Sequence, residues 1–222
     1  MESLQMLLVL LLVMMTACAA IPQDLSGKMF TFPEETNTAH VKLTLSRQSL
    51  GAVTVCLRFF TDLNRDYPFF SVATPSADNA FLIFKTKNNL SLWAKDKYAE
   101  FAGHENKLNV WHSVCATWDA ASGIGQVWLD GKPSSRKFIS DGSISGVMIG
   151  VLGQEQDKHG GGFDMQQSFV GMMSDVHMWD YVLQPKEMLK YANHFSYTVG
   201  NVLNWEALDF QIVGRVLIEG KQ

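Results

Sequence analysis

Apolar and polar residues alternate with period two along most of the chain, and helical periodicity is nearly absent. Val41-Lys42-Leu43-Thr44-Leu45 and Leu90-Ser91-Leu92-Trp93-Ala94 put apolar residues on every second position, as a half-buried strand does. Ala52 to Phe60 is a longer β-branched and aromatic run that stops at the polar turn Asp62-Leu63-Asn64. Phe81-Leu82-Ile83-Phe84 is short and apolar, the pattern of a buried strand. Further strands are expected over residues 110–118, 124–129, 147–152 and 169–179, with Asp130-Gly131 as a hairpin turn after Trp128-Leu129. The one helix candidate begins at Pro185, a favoured first helical position, and is expected near 185–192. Short strands at steady spacing between Gly and Asp turns imply one all-β domain, a sandwich of two antiparallel sheets.

The first twenty residues break that pattern. Residues 4–15 are almost wholly apolar, and Ala17-Cys18-Ala19 follows with the small residues of a cleavage site. This is the order of a secretory signal, expected over 1–19 with cleavage after Ala19 or Ala20 and a mature domain over 20–222. The run is too short to span a bilayer, which needs about 20 apolar residues, and no later stretch could do so. Secretion is therefore expected. Removing the segment takes away one acid, Glu2, and no base, leaving 18 basic residues against 21 acidic ones. So mild a balance argues against nucleic acid as a partner. Cys18 leaves too, so Cys56 and Cys115 are the remaining thiols in an oxidising compartment and are expected to pair. That bond closes a loop of about 60 residues, worth about 4 kcal/mol through restriction of the unfolded chain.

Candidate chemistry gathers where strands stop. Asp78-Asn79, Gln154-Glu155-Gln156-Asp157, and Asp164 with Gln166-Gln167 supply carboxylates and amides. Calcium selects six to eight such hard oxygen donors. Gly160-Gly161-Gly162 between the last two groups lets the backbone turn sharply.

The stretch Gly153-Gln154-Glu155-Gln156-Asp157, then Gly160-Gly161, Gln167-Ser168-Phe169-Val170-Gly171 and Met178-Trp179-Asp180, closely resembles the calcium loop and following strand of the short pentraxin family. The resemblance extends to Lys28-Met29-Phe30-Thr31-Phe32-Pro33, Ala120-Ala121-Ser122-Gly123, Val127-Trp128-Leu129-Asp130-Gly131-Lys132-Pro133 and Asn201-Val202-Leu203-Asn204-Trp205, essentially the whole mature chain. One landmark departs. The family signature is His-x-Cys-x-Ser/Thr-Trp, whereas His112-Ser113-Val114-Cys115-Ala116-Thr117-Trp118 has one extra residue between His and Cys.

The resemblance implies a jelly-roll, concanavalin-like sandwich that binds two calcium ions per subunit. Asp78, Asn79, Glu155, the backbone carbonyl of Gln156 and Asp157 would hold the first ion. Glu155 and Asp157, shared, with Asp164 and Gln167 would hold the second. The family's longer Glu stands where this chain has Asp164, so the second ion is expected to bind more weakly. Phe84 matches the apolar wall of the phosphocholine-binding branch. Trp93 stands where that branch has a small residue, and Tyr98, Ala99 and Glu100 compete for the place of the acid that faces choline.

The implied function is a secreted, calcium-dependent recognition protein of innate immunity and the acute phase. It would bind phosphocholine-type, other phosphorylated or polysaccharide ligands, engage complement components and cell receptors, and assemble as a cyclic homopentamer. The alternative is a calcium-dependent lectin of the same family without phosphocholine preference.

Enzyme chemistry is not expected. His159-Gly160-Gly161-Gly162 resembles an esterase oxyanion stretch, but no Gly-x-Ser-x-Gly elbow accompanies it. A glycosidase would need a protonated carboxyl beside a carboxylate, which calcium held by Glu155 and Asp157 would prevent. The six histidines lack zinc-helix spacing. Asn89-Leu90-Ser91 is the sole glycosylation sequon, Asn88-Asn89 reads as an exposed turn, His159 as a solvent-exposed loop residue, and the tryptophans as core.

Overall fold

The computed structural model describes residues 21–104 and 107–221. The expected signal segment and its cleavage site lie outside the described residues. In chain order the strands are β1 Lys28–Phe32, β2 His40–Thr44, β3 Ser49–Leu50, β4 Ala52–Phe60, β5 Tyr67–Thr74, β6 Ala77–Lys85, β7 Leu90–Ala94 and β8 Lys97–Phe101. There follow β9 His112–Asp119, β10 Ile124–Leu129, β11 Lys132–Pro133, β12 Lys137–Phe138, β13 Ile144–Ser145, β14 Ile149–Leu152 and β15 Gly171–Trp179. Helix α1, Pro185–Ala192, precedes β16 Phe210–Val213 and β17 Leu217–Gly220.

Two antiparallel sheets face each other. One runs β11-β10-β9-β4-β15-β1-β17, with β12 also on β10, and the other β16-β2-β14-β5-β6-β7-β8. Their inner faces enclose an aromatic core in which Phe30 meets Trp205 edge-on at 5.2 Å and Phe59 meets Phe69 at 4.4 Å. Strand β4 shows why a long apolar run was legible there. Val53, Val55, Leu57 and Phe59 enter the main core, while Cys56 faces outward into a second, smaller cluster.

That second cluster lies under α1. Cys56 and Cys115, opposite each other on β4 and β9, form the expected disulfide with Cα atoms 4.1 Å apart. Met188 and Tyr191 of the helix cover it together with Trp128, Trp179 and Leu183. The buried Arg58 pairs with Asp175 at 3.2 Å, donates to the Tyr191 carbonyl, and stacks over the Tyr191 ring at 5.0 Å.

The hairpin at Asp130-Gly131 has both residues at positive φ, 50° and 74°, as a tight turn matched to strand twist requires. The displaced His112 is explained by the same neighbourhood. One extra residue before Cys115 inverts the facing of a strand side chain, so His112 sits against Phe59, ring centroids 5.5 Å apart, instead of beside the disulfide. Its Nδ1 meets Asp130 Oδ2 at 2.7 Å and its Nε2 meets the Lys107 carbonyl at 2.9 Å. The Asp130 hydrogen bond raises the imidazole's pKa against the opposing effect of burial.

Three expectations need correction. Trp118, Trp179 and Trp205 are core, but Trp93 and Trp111 are only half-buried. The Asn89 end of its turn is half-buried too, with its amide nitrogen donating to Glu100 at 3.1 Å. His159 is half-buried, its Nε2 3.0 Å from the Val147 carbonyl.

Candidate metal and ligand site

Two segments two strands apart supply the site. Strand β6 carries Asp78, Asn79 and Phe84, and the loop between β14 and β15 carries Glu155, Gln156, Asp157, Asp164 and Gln167. Strand β5 lies between β14 and β6, pairing Ser71 with Val151 on one side and Leu82 on the other. Strict alternation would turn Asn79 away from Leu82 and Phe84. The register with β5 shifts between Val72 and Thr74, and such an irregularity re-aims side chains. Asn79, Leu82 and Phe84 consequently line one cleft of about 230 Å³ together with Trp93, Glu155, Asp157 and Gln167.

The loop is held by its amides. Gln154 Nε2 donates to the carbonyls of Thr36 and Ala39 at 2.7 and 3.0 Å. The fully buried Gln156 donates to Ser71 Oγ at 3.2 Å and to the Ile149 carbonyl at 3.0 Å, and accepts from Gly160 N–H at 3.0 Å. With that side chain turned inward, only its backbone carbonyl is left for a metal. Gly153, at φ +90°, launches the loop where a Cβ would press within 2.4 Å of the Phe32 ring. Glu155 and Asp157, flanking Gln156, reach the cleft.

Electrostatics mark Glu155. It is 7% exposed, and burial first, then Asp157, Asp78 and Asp164, push its carboxyl up to about 7. Asp78 and Asp164 thus act on Glu155 without lining the cleft. Asp164 spends Oδ1 in capping the short turn Met165–Gln167, accepting from Gln166 N–H at 2.9 Å.

Among the described residues no three His, Cys, Asp or Glu side chains close to metal-binding distance. Calcium chemistry does not require three, since amide and backbone carbonyl oxygens complete its shell. Asn79 Oδ1 is such an oxygen, buried and without a hydrogen-bond donor among the described residues. An orphaned amide oxygen beside clustered carboxylates fits a hard cation. Beside it, Trp93 stacks on Tyr98 at 4.3 Å, with Tyr98 itself 54% exposed.

The site therefore brings together Asn79, Phe84, Glu155, Asp157 and Gln167, keeps Asp78 and Asp164 within electrostatic reach, and leaves Asn89 and the disulfide elsewhere. Leu82 was not singled out, because it looked like any core strand residue; Gln154 was noticed within its cluster, but as a possible oxygen donor and not as the amide that anchors the loop to Thr36 and Ala39.

The Pentaxin family model matches residues 28–220. C-reactive protein of Sus scrofa is 39% identical over 99% of this chain and 98% of its own length. Serum amyloid P-component of Mus musculus is 41% identical over 88% of each. Among solved structures, a native heptameric SAP-like pentraxin from Limulus polyphemus superposes with a TM-score of 0.82 at 28% identity, covering 89% of this chain and 97% of that one. With the family model covering residues 28–220 and relatives about 40% identical over most of the chain, this protein belongs to the pentraxin family.

Proposed function

We propose that this chain is a secreted recognition protein of innate immunity that captures anionic groups on microbial or damaged surfaces through two calcium ions, without catalysis. The observation that carries the reading is the orphaned Asn79 Oδ1 beside a buried Glu155 crowded by three carboxylates. Asp78, Asn79, Glu155, the Gln156 carbonyl and Asp157 would hold one ion, and Glu155, Asp157, Asp164 and Gln167 the other. Bound calcium would supply a positive charge to which phosphate or another anion coordinates directly. Phe84, Leu82 and Trp93 would receive the apolar remainder of the ligand.

Retention of the mature protein on immobilised phosphocholine in millimolar calcium tests this. Elution by both chelator and free phosphocholine is expected. A protein that passes through a column able to hold a known binder would remove phosphocholine from the proposal.

A second reading, a calcium-dependent lectin without phosphocholine preference, is favoured by Trp93, which lines the cleft and is stacked on Tyr98. Retention on an acidic polysaccharide, but not on phosphocholine, would select it. Assembly is proposed as a cyclic homopentamer. The Limulus relative is heptameric, so light scattering of the intact protein decides the number.

A further inference from the structure

Two further hollows adjoin the candidate metal cleft in turn through shared lining residues. Gln167 lines both that cleft and a hollow of about 560 Å³ walled by Asn64, Arg65, Lys87 and Asp164. Asn64, Arg65 and Lys87 in turn line a third hollow of about 410 Å³, where the charged side chains among the described lining residues are Arg65, Lys85 and Lys87. One end of the trough is thus the carboxylate and aromatic cleft, and the other is basic.

Arg65 stands at the junction. Its Nη1 donates to the Asp66 carbonyl at 2.9 Å, and Glu35 comes no closer to Nη2 than 3.9 Å, beyond hydrogen-bond reach. Nη2 is buried and has no acceptor among the described residues. Glu35 offsets the charge without accepting from that N–H, and the planar fork of a guanidinium matches the oxygens of a phosphate, sulfate or carboxylate. Lys87 is exposed beside it, its backbone N–H fixed by Asp66 Oδ1 at 2.8 Å.

The middle of the trough is different. Glu35 and Asp66 line it alongside Asn64 and Gln166, while Asp164 and Gln167, assigned above to the second ion, close it at the cleft end. Glu35 and Asp66 repel a continuous run of negative charge, and with Asn64 and Gln166 they suit the hydroxyls of an uncharged sugar. We propose that the basic end is a second ligand subsite. The preferred ligand would then be a polysaccharide carrying anionic substituents at spaced intervals, one at the calcium cleft and the next at Arg65 and Lys87, with neutral sugar between. The inference rests on the calcium reading for its first anchor only.

The test is calorimetric titration of the intact protein with oligosaccharides bearing one phosphate, or two phosphates separated by a few uncharged sugars, in calcium and in chelator. The doubly phosphorylated ligand should bind about tenfold more tightly than the singly phosphorylated one, the size expected of one added charge-assisted contact. Arg65→Gln with Lys87→Gln should abolish that gain while leaving the singly phosphorylated ligand unaffected. Lys28→Gln, which lines none of the three hollows, should leave both unchanged. A double variant that keeps the gain overturns the subsite, as does an equal loss for both ligands. Binding of the single phosphate that ignores chelator would instead overturn the calcium cleft, while the variant's effect on the second phosphate is still read in the same titration.

Discussion

Replacing Glu155 by Gln removes a charge and keeps the shape, so its effect follows from the local field. Burial and the neighbouring Asp157, Asp78 and Asp164 lift the folded carboxyl from 4.5 to about 7. In the metal-free protein the folded state then holds a proton that the unfolded state has released, so stability falls as pH rises from 4.5 to 7 and is level above. The full shift corresponds to about 3 kcal/mol; solvent screening at the cleft mouth reduces this to about 2 kcal/mol. At pH 8 in chelator, Glu155→Gln should therefore be the more stable protein by about 2 kcal/mol, or about 5 °C in Tm for a chain of this size. At pH 4 the two should coincide. Calcium reverses the order. A site saturated a hundredfold above its Kd adds about 2.7 kcal/mol to the wild type, and the variant, lacking a carboxylate shared by both ions, gains far less. Differential scanning calorimetry with and without calcium at the two pH values reads all four states. A variant less stable than wild type in chelator at pH 8, or one that keeps the full calcium gain, would refute the reasoning.

Other outcomes follow from the same geometry. In chelator, repulsion among the carboxylates should loosen residues 155–167, and limited proteolysis should cut there at least several-fold faster than in calcium. Trp93→Thr should widen the cleft between Phe84 and Glu155; a gain of phosphocholine retention is expected, and none would show that Trp93 does not set ligand choice. Asp175→Ala leaves the buried Arg58 without its carboxylate and should cost about 3–5 kcal/mol in urea unfolding. Cys56→Ala with Cys115→Ala should cost about 2–5 kcal/mol, since the bond staples β4 to β9 under the helix.

Leu90–Ala94 and Ala52–Phe60 occupy the expected bounds although both are buried on nearly every position, because polar residues still alternate in the first and β-branched and aromatic residues run unbroken through the second; Pro185 opens the helix as its fixed φ suggests. Strand β5, Tyr67 to Thr74, is as buried as β4 but went unrecognised because Pro68 reads as a breaker inside the run. Strand β8, Lys97–Phe101, is mostly exposed, and without a buried face it leaves no hydrophobic pattern. Part of the candidate site was legible through residue type, since carboxylates and amides clustered at strand ends stand out. What sequence could not show is how Asn79 comes to face Leu82 and Phe84, because that depends on a register shift against β5. The facing of His112 likewise waited for its pairing with Phe59 across β4 and β9. Arg65 carries no motif at all, and only its buried, acceptor-less Nη2 draws attention to it.

The central claim is a two-ion calcium site built from β6 and the loop after β14. Calorimetric titration of the mature protein with calcium at pH 8, beside Glu155→Gln, tests it most directly. Two ions per subunit are expected, the one that uses Asp164 the weaker, with both lost or severely weakened in the variant. Absence of calcium binding at millimolar concentration, or wild-type binding by Glu155→Gln, would contradict it.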